Sequence, residues 1–494
     1  MEKFYITTSI AYTNAPPHGG YALELIQADV IARHQRLLGR EVLFLTGTDE
    51  HGVKIAKTAT EHGKEPKEFA DQIAKEYQRL TKILNISNDD FIRTTDRERH
   101  WPTASKIWTR IFEKGDLYKK KYKGIYCVGH ELFLKKSDLV NGLCPLHQTQ
   151  PVEIEEENWF FKISKYKKQI KEKIEANELQ IIPPSRKEEI LNLIGEAEDI
   201  SFSRPVESLS WGIPVPNDPS QTFYVWVDAL TNYLSALDFA TDGEKFKKYW
   251  PADIHLIGKD ILRFHALIWP AILLSAGLEL PKAIYVHGFI TVEGQKISKT
   301  IGNVIDPFAL VEKYGVDPVR YYLLREIPSN EDGDFSEKKL QARYNGDLAN
   351  NLGNLVSRVA KLIETKLNGE LIYREKFLDK EVEVKVEQAR LAVAAAINEF
   401  KLHEALAKIW ELLTFANVHI DEHKPWASED PDRLLKTLTG ALAIIIHSAS
   451  LLQPFLPETS EKIYKTFEAN PEVKDWEGFH FRVSDTKPLF PRVM

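Results

Sequence analysis

The sequence has few of the features that mark disulfide-stapled, membrane-spanning or secreted proteins. Cys127 and Cys144 are its only cysteines, too few for a disulfide framework and consistent with a reducing compartment. No apolar run reaches the roughly 18 residues that a membrane span needs. The opening segment, MEKFYITTSI, lacks the basic-then-apolar layout of a secretion signal. We therefore expect a cytoplasmic protein.

An excess of basic residues is also missing. The net charge of −7 argues against a protein that coats nucleic acid non-specifically, because neutralising phosphates requires clustered Lys and Arg. A selective RNA binder can still confine its basic residues to one face, and Lys119–Lys121 and Lys165–Lys173 are candidates. A solvated helix face explains each run at least as well. Repeats of fixed period and low-complexity segments are absent from the sequence.

What is present is enough apolar material for several domains. With 494 residues, of which 43% are hydrophobic, the chain predicts two to four domains at roughly 100–200 residues each. The N-terminal part reads as an apolar β-branched run, a Pro-rich turn, a helical pattern to Leu38, and a second apolar run ending at Asp49. This order is typical of an α/β domain with a parallel sheet, whose ligands bind at the carboxyl ends of the strands.

The rest of the chain predicts an insertion and a helical bundle. Residues 116–222 carry a Lys-rich hairpin-like stretch and a Pro-rich loop, after which the apolar runs FYVWV, IHLIG and AIYVHGFIT restore the α/β pattern. After about residue 341 the pattern is almost wholly helical, with long stretches of 3.6-residue period. The predicted ranges are 1–115, 116–222, 223–290, 291–345 and 346–494.

Two motifs carry residues suited to binding phosphates. The first, Pro16–Tyr21, places His18 and two adjacent glycines between a strand and a helix, where backbone can approach an anion at the helix N-terminus. The second, Gly294–Thr300, holds Lys296 and Lys299, which can stabilise a departing pyrophosphate. Each string alone is more often an ordinary turn or surface loop. Because both follow predicted strands of one sheet, the pair favours phosphate binding.

These motifs resemble the HIGH and KMSKS signatures of class I aminoacyl-tRNA synthetases. The strings AYTNAPPH, TGTDEHG, FYVWVDA, HLIGKDI, FHALIWPA, VHGFITVEGQKISKT, NNLGNLVSR and HKPW resemble the methionyl-tRNA synthetase family over essentially the whole chain. The resemblance implies an α/β fold: a Rossmann-like catalytic domain (1–115 and 223–290), an inserted zinc-knuckle connective-peptide domain (116–222), a KMSKS loop and stem-contact region (291–345), and an anticodon-binding α-helical bundle (346–494).

The resemblance also implies the reaction and the partners. L-Methionine is activated with ATP to methionyl-adenylate and transferred to tRNA(Met), both initiator and elongator, with Mg²⁺ neutralising the phosphates. No protein nucleophile is required, because positioning and charge stabilisation by His18, Lys296 and Lys299 supply the catalysis. Because no oligonucleotide-binding domain follows the bundle before the chain stops at LFPRVM, we expect a monomer.

Site residues follow from the same resemblance. The expected ATP-binding residues are His18, Gly20, Glu24, Gly258, Asp260, His287, Lys296 and Lys299. The expected methionine-binding residues are Ile10, Tyr12, Asp49, Trp226, Ala229, Tyr233, Ile261, His265 and Trp269. Asp49 would hold the ammonium group, and aromatic edges would suit the soft sulfur. Asn354, Arg358 and Trp426 are expected to read the anticodon. The aromatic residues could equally be plain core, and Arg358 could merely be solvated.

Two positions depart from the family pattern. Tyr21 replaces the second signature histidine, and a tyrosine hydroxyl can donate a hydrogen bond but cannot become cationic. If Tyr21 takes the catalytic place of that histidine, we expect methionine activation to be about tenfold to a thousandfold slower than with histidine. In the predicted zinc set, Cys127, His130, Cys144 and His147, the family usually has Cys where His130 stands. Tetrahedral zinc accepts imidazole as well as thiolate, although a decayed, empty knuckle is the alternative.

Two rival functions are weaker. A class I synthetase for leucine, isoleucine or valine would carry a large editing insertion, and one for cysteine would need a zinc set beside the pocket. A tRNA-binding paralogue without catalysis is suggested by Tyr21. Methionine-dependent exchange of pyrophosphate into ATP separates these functions, because a binding module would show none.

Overall fold

The computed structural model describes residues 2–127, 132–134, 136, 139–145, 149–296, 303–473, 475–484 and 486–492. The chain divides into two compact units. The sheet unit comprises Met1–Pro17, Gln35–Lys82 and Ile86–His287, and the helical unit comprises His18–His34, Ile83–Asn85 and Gly288–Met494.

The described strands, in chain order, are β1 (Lys3–Thr8), β2 (Ala11–Tyr12), β3 (Glu41–Asp49), β4 (Asp90–Arg93), β5 (Leu117–Cys127), β6 (Leu132–Leu134), β7 (Val152–Phe161), β8 (Gln180–Ile182), β9 (Ile200–Ser201), β10 (Ser203–Pro205), β11 (Pro214–Val215), β12 (Asp218–Phe223), β13 (Ile254–Gly258), β14 (Ala283–His287), β15 (Ile290–Val292), β16 (Gln295–Lys296), β17 (Gly333–Phe335), β18 (Glu370–Ile372) and β19 (His480–Arg482).

The described α-helices are α1 (Gly19–Leu37), α2 (Val53–Glu61), α3 (Pro66–Ile83), α4 (Trp101–Glu113), α5 (Lys167–Glu175), α6 (Pro184–Glu196), α7 (Val225–Leu230), α8 (Asn232–Ser235), α9 (Glu244–Tyr249), α10 (Trp269–Ser275), α11 (Pro307–Tyr314), α12 (Val316–Glu326), α13 (Glu337–Arg343), α14 (Asn354–Lys366), α15 (Lys380–Asn398), α16 (Leu402–His423), α17 (Pro431–Leu452) and α18 (Pro457–Thr466). Two π-helical stretches, Phe264–Ile268 and Tyr344–Gly353, precede α10 and α14.

A seven-stranded parallel sheet organises the sheet unit, which confirms the predicted α/β architecture. The strand order is β2-β3-β1-β13-β14-β8, with β4 pairing β3. Residues from Phe4 to Thr8 are all buried, as expected for a strand covered on both faces. Because β1 leads to β3 on one side and pairs β13 on the other, the sheet has a switch point beside β1, where ligands of such folds bind.

The range 116–222 contributes antiparallel strands as well as a strand of the main sheet. β5 pairs β7 over ten residue pairs, with β6 and β9 on the outer edges. β10, β12 and β11 form a second small antiparallel sheet. β8 comes from the same range but pairs parallel with β14. This range therefore supplies one edge strand of the seven-stranded sheet. The predicted domain boundaries stay a prediction.

The helical unit confirms the predicted C-terminal bundle. Helices α15 to α18 pack against one another in sequence, and α17 buries Leu434, Leu438 and Leu442 at helical spacing. Asp430 caps α17 by accepting a hydrogen bond from the backbone N–H of Asp432 (2.9 Å), with Pro431 at the first position. By length and composition α17 could cross a membrane, but 72% of its apolar window is buried, as in the core helix of a bundle.

Candidate active site

The strands of the main sheet end at residues that the sequence predicts to bind substrate. β3 ends at Asp49, β13 at Gly258 and β14 at His287, and these strands are all parallel to β1. Their carboxyl ends therefore share one edge of the sheet. Gly258 admits no side chain there without movement, because a Cβ atom would lie 2.8 Å from the Asp260 carboxylate.

The backbone around Asp49 is fixed by its pairing with the short strand β2. Tyr12 lies opposite Asp49 in the parallel register, and the N–H and hydroxyl of Thr13 both donate to the Asp49 carbonyl oxygen, at 2.9 and 3.1 Å. Asp49 is 8% exposed. The backbone of Asp49 is therefore fixed at the strand end, and a buried carboxylate there suits an ammonium group, since a buried charge needs an opposite charge or donors.

An aromatic cluster forms from predicted methionine-binding residues. Trp226 stacks on Phe264 with ring centroids 3.6 Å apart, and the His265 ring lies edge-on to Trp226 at 6.4 Å. Tyr233 lies 6.0 Å from Trp269 and donates its hydroxyl proton to His265 Nε2, 2.7 Å away. Ala229 is buried, and Ile10, Tyr12 and Ile261 pack partly buried against the same core. The structure thus brings these predicted residues into one region of the sheet unit.

The hydrogen bonds identify His265 as a neutral imidazole of one tautomer. Its Nδ1 lies 3.1 Å from the Ile261 carbonyl oxygen, which only accepts, so the ring proton is on Nδ1 and Nε2 accepts from Tyr233. Burial lowers the pKa of His265 to about 4. Both protons of the Tyr233–His265 pair are therefore donated within the protein. A thioether bound here would meet ring faces and edges rather than an unused N–H or O–H.

His255 belongs to the same cluster and was not predicted. Its ring stacks on Tyr233 at 4.2 Å, its Nε2 accepts from Trp269 Nε1 at 3.3 Å, and its Nδ1 lies 2.7 Å from the Thr7 hydroxyl. Burial lowers the pKa of His255 well below its usual range. The available signal was a histidine within the apolar strand IHLIG. Phe264, which stacks on Trp226, was also missed, although it lies in the string FHALIWPA.

The turn before α1 has the geometry of a helix start in the helical unit. The Gly20 N–H donates to His18 Nδ1 at 3.1 Å, and the N–H groups of Tyr21 and Ala22 donate to the His18 carbonyl. The proton of a neutral His18 ring is then on Nε2, and the side chain is exposed. Gly19 is required, because a Cβ atom would lie 2.9 Å from Ile305. The imidazole of His18, exposed at the N-terminus of a helix, suits an anionic ligand.

Other predicted ATP-binding residues are divided between the units. His18, Gly20 and Glu24 belong to the helical unit, with Glu24 buried, and Gly258, Asp260 and His287 belong to the sheet unit. Lys296 ends strand β16, which pairs β15, and its side chain lies outside the described part of the chain. Lys299 lies outside the described residues altogether.

The predicted zinc ligands are described only in part. Cys127 and Cys144 are buried thiols at 0% exposure, whereas His130 and His147 lie outside the described residues. Within the described ranges, no group of three or more His, Cys, Asp or Glu side chains could hold a metal. The prediction of zinc therefore stays a prediction.

The predicted anticodon residues occupy one exposed face of the bundle. Asn354 opens α14 and is exposed, and Arg358 lies one turn later. The Arg358 guanidinium lies 4.9 Å from the Trp426 ring centroid and pairs with Asp421. Trp426 is 43% exposed, so it is not a core tryptophan. An exposed indole beside a guanidinium provides a stacking platform for an unpaired base.

Similarity to known proteins covers both units. A family model described as tRNA synthetases class I (M) matches residues 4–151 and 134–360, and one described as anticodon-binding domain of tRNA ligase matches 379–483. A methionine–tRNA ligase of Thermotoga maritima is 42% identical over 508 residues, covering 99% of this chain and 80% of the relative. One of Rhizobium meliloti is 42% identical over 513 residues, covering 99% of this chain and 98% of the relative.

Solved structures agree over the full length. The chain matches Mycobacterium tuberculosis methionyl-tRNA synthetase in complex with methionyl-adenylate with a TM-score of 0.95 and 40% identity, covering 100% of both chains. The apo form of the M. tuberculosis enzyme matches with a TM-score of 0.87 and 37% identity, covering 100% of this chain and 99% of that one. On this full-length similarity in sequence and fold, the chain belongs to the methionine–tRNA ligase family of class I aminoacyl-tRNA synthetases.

Proposed function

We propose that the protein ligates L-methionine to tRNA(Met), initiator and elongator, through a methionyl-adenylate intermediate. The observation that carries this proposal is the cluster of buried Tyr233, His265 and Trp269 with partly buried Trp226, in the unit where β3 ends at Asp49. The cluster is apolar and neutral, as a thioether side chain requires, and Asp49 supplies the opposite charge for an α-ammonium group.

In the first step, the methionine carboxylate oxygen attacks the α-phosphorus of ATP in line. A P–O bond to methionine forms as the bond to the β-phosphate oxygen breaks, giving methionyl-adenylate and pyrophosphate. Magnesium bound to ATP would neutralise part of the phosphate charge. His18, Lys296 and Lys299 stabilise the charge that develops on the leaving group, because donors fixed before the reaction need no reorganisation during it.

In the second step, a terminal ribose hydroxyl of the tRNA attacks the adenylate carbonyl carbon. An ester bond forms, the bond to the phosphate oxygen breaks and AMP leaves. Asn354, Arg358 and Trp426 read the anticodon on the bundle, since amide and guanidinium groups recognise base edges and an exposed indole stacks on a base.

The donor set Cys127, His130, Cys144 and His147 suits a structural zinc ion. Two thiolates and two imidazoles are the usual partners of tetrahedral zinc. Both cysteines are buried, as expected of ligands of a closed site. Such a site would order the segment between β5 and β7 rather than take part in the reaction. A monomeric state and a cytoplasmic location complete the proposal.

Exchange of pyrophosphate into ATP, measured across the amino acids, tests the proposed activity. Methionine should support exchange and leucine, isoleucine, valine and cysteine should not. Binding of tRNA without any exchange would instead identify a non-catalytic paralogue. Exchange that depends on another amino acid would overturn the proposed substrate.

Lys296→Ala tests the role assigned to the loop. It should slow adenylate formation by about a hundredfold while methionine binding changes little, because the lysine acts on the leaving group. Lys313→Ala, which removes an exposed lysine paired with Glu337 in the same unit, is the control and should leave the rate unchanged. Equal losses in rate and in methionine affinity would contradict a transition-state role for Lys296.

A further inference from the structure

A buried carboxylate between two histidines lies in the sheet unit, and the proposed reaction does not use it. Asp228 Oδ2 lies 2.7 Å from His51 Nδ1, and Asp228 Oδ1 lies 2.7 Å from His100 Nε2. The three side chains are 1%, 2% and 0% exposed in that order. Burying a carboxylate is unfavourable unless it is paired, and here the two histidines provide the pairing.

Each member of the cluster comes from a different segment. His51 lies two residues after Asp49, the predicted ligand of the methionine ammonium group. Asp228 lies in α7, the helix that carries Trp226 and Ala229. His100 directly precedes α4, and its Nδ1 lies 3.0 Å from the Ser235 hydroxyl. The carboxylate therefore joins the strand end that carries Asp49 to the helix that carries the side-chain subsite.

Helix α7 depends on tertiary contacts for its orientation, and Asp228 supplies its charged contact. It has six residues, and isolated helices of this length are unstable in water. Asp228 is two residues from Trp226, or about 200° around the helix axis, so it points away from the face that carries Trp226. The carboxylate thus holds α7 from the side opposite the aromatic cluster.

Charge complementarity keeps Asp228 ionised in this setting. Burial by itself raises the pKa of the carboxyl, but the charges and hydrogen bonds of His51 and His100 outweigh burial, so its pKa is lowered. As a carboxylate it only accepts, and both histidine nitrogens that face it can donate. Replacing one oxygen by an amide N–H would place a donor against a donor.

The segment around His51 is fixed from a second side. Trp211 Nε1 donates to the Glu50 carbonyl at 2.6 Å, and the Trp211 carbonyl accepts from the Gly52 N–H at 3.1 Å. The Trp211 ring also packs edge-on against His51 at 5.2 Å. Because its neighbours are held this way, His51 is fixed at the end of β3. Its hydrogen bond therefore holds Asp228 at a set position relative to that strand end.

We propose that Asp228 is a positioning residue for the amino-acid subsite. Through His51 and His100, its carboxylate fixes Trp226 and Ala229 relative to Asp49, and so sets the affinity for methionine without touching it. This inference rests on the proposed function. A gap of about 0.5–1 Å between packed atoms already loses about a quarter to a half of their dispersion attraction, so a small rotation of α7 weakens methionine binding measurably.

Asp228→Asn is the first test. The KM for methionine in pyrophosphate exchange should rise about tenfold or more, while the KM for ATP and the kcat at saturating methionine stay within about threefold. Asp116→Asn is the matched control, because Asp116 is also 1% exposed and accepts from Lys165, Tyr166 and Ser275. It should lower the melting temperature to a similar degree and leave the KM for methionine unchanged.

A second pair of variants decides the matter if Asp228→Asn does not fold. His51 bonds Asp228 through Nδ1, and an asparagine amide nitrogen occupies nearly the same position. His51→Asn should therefore keep the KM for methionine within about threefold, whereas His51→Leu should raise it about tenfold or more.

Three results would overturn the inference: a KM for methionine that Asp228→Asn leaves unchanged, equal increases in the KM for ATP and for methionine, or His51→Asn and His51→Leu behaving alike. Failure of the unmodified protein to show methionine-dependent exchange would count against the proposed function instead.

Discussion

At the scale of single residues, burial decides the chemistry of the aromatic cluster. His265 donates from Nδ1 to the Ile261 carbonyl and accepts at Nε2 from Tyr233, and burial lowers its pKa to about 4. Protonation would put a second N–H against the Tyr233 hydroxyl and a charge in an apolar region. The neutral form is therefore part of the folded state.

This arrangement predicts a pH dependence of stability. Between pH 6.5 and about 4, His265 binds a proton in the unfolded chain but not in the folded chain. The contribution of His265 to stability therefore falls as pH falls through this window and is constant above it. The full loss is about 3 kcal/mol. His265→Asn keeps a donor near the Nδ1 position but does not titrate. The difference in urea unfolding free energy between parent and His265→Asn should shift by that amount from pH 7 to pH 4, and a constant difference would contradict it.

Tyr21 gives a second prediction at this scale. It lies in the first turn of α1, 9% exposed, with its N–H bonded to the His18 carbonyl. If its hydroxyl stabilises the nucleotide phosphates, Tyr21→Phe should slow adenylate formation by about tenfold to a thousandfold. Tyr21→His, which restores a group that can be cationic, should exceed the parent rate. Pyrophosphate exchange at saturating substrates measures both, and unchanged rates would show that the position is irrelevant.

Sequence motifs could single out individual residues, but they could not show which buried polar groups pack against one another. Trp226 and Trp269 lie in the strings FYVWVDA and FHALIWPA and meet in one cluster with Tyr233. His255 and Asp228 carry no local mark of their role, because it arises from partners 248 and 177 residues away along the chain, Thr7 and His51. Periodicity reports which face is buried but not which polar groups meet there.

At the scale of elements, one arginine ties three segments of the helical unit together. Arg320 on α12 is fully buried and donates to the carbonyls of Phe455 (2.8 Å), Leu84 (3.0 Å) and Pro454 (3.0 Å) and to the Asp29 carboxylate (2.8 Å). Asp29 lies on α1, and Pro454 and Phe455 lie between α17 and α18. The guanidinium therefore joins the helix that follows the His18 turn to the end of the bundle.

Arg320→Met should destabilise the protein by about 3–5 kcal/mol, because it leaves buried acceptors unpaired and deprives the Asp29 carboxylate of one of its two arginine partners. Urea unfolding measures the loss. Arg390→Met, which breaks an exposed pair with Glu387, should change stability by less than about 1 kcal/mol. Similar small effects of both variants would show that the buried network is dispensable.

Elements followed from sequence where one period dominates. The 3.6-residue pattern predicts α16 and α17, and the short apolar run Val42–Thr46 predicts β3. The pattern could not place β8, whose three residues, Gln180–Ile182, join the main sheet beside β14. Nor could it show the π-helical turns at Phe264–Ile268, which depend on tertiary packing rather than on periodicity.

At the scale of the whole molecule, the order of domain types followed from the sequence, because strand and helix patterns change at recognisable points. An α/β half, an antiparallel segment, a second α/β half and a helical bundle all occur in that order. The sequence did not predict which of the two units contains each predicted substrate-binding residue. His18 and Glu24 belong to the helical unit although strand β1, just before them, belongs to the sheet unit.

The last prediction concerns bound zinc, whose proposed ligands lie between the end of β5 and the start of β7 and whose binding would stabilise the fold. If the two buried thiols and two imidazoles hold zinc, elemental analysis of the purified protein should find one zinc ion per chain. Removing it with EDTA should lower the melting temperature, because metal binding contributes directly to folding. Cys144→Ser should abolish zinc binding, whereas Ser164→Ala, which removes an exposed hydroxyl bonded to Asp199, should retain it. A metal-free protein whose melting temperature EDTA leaves unmoved would show that the knuckle has lost its metal, and methionine-dependent exchange would then proceed without it.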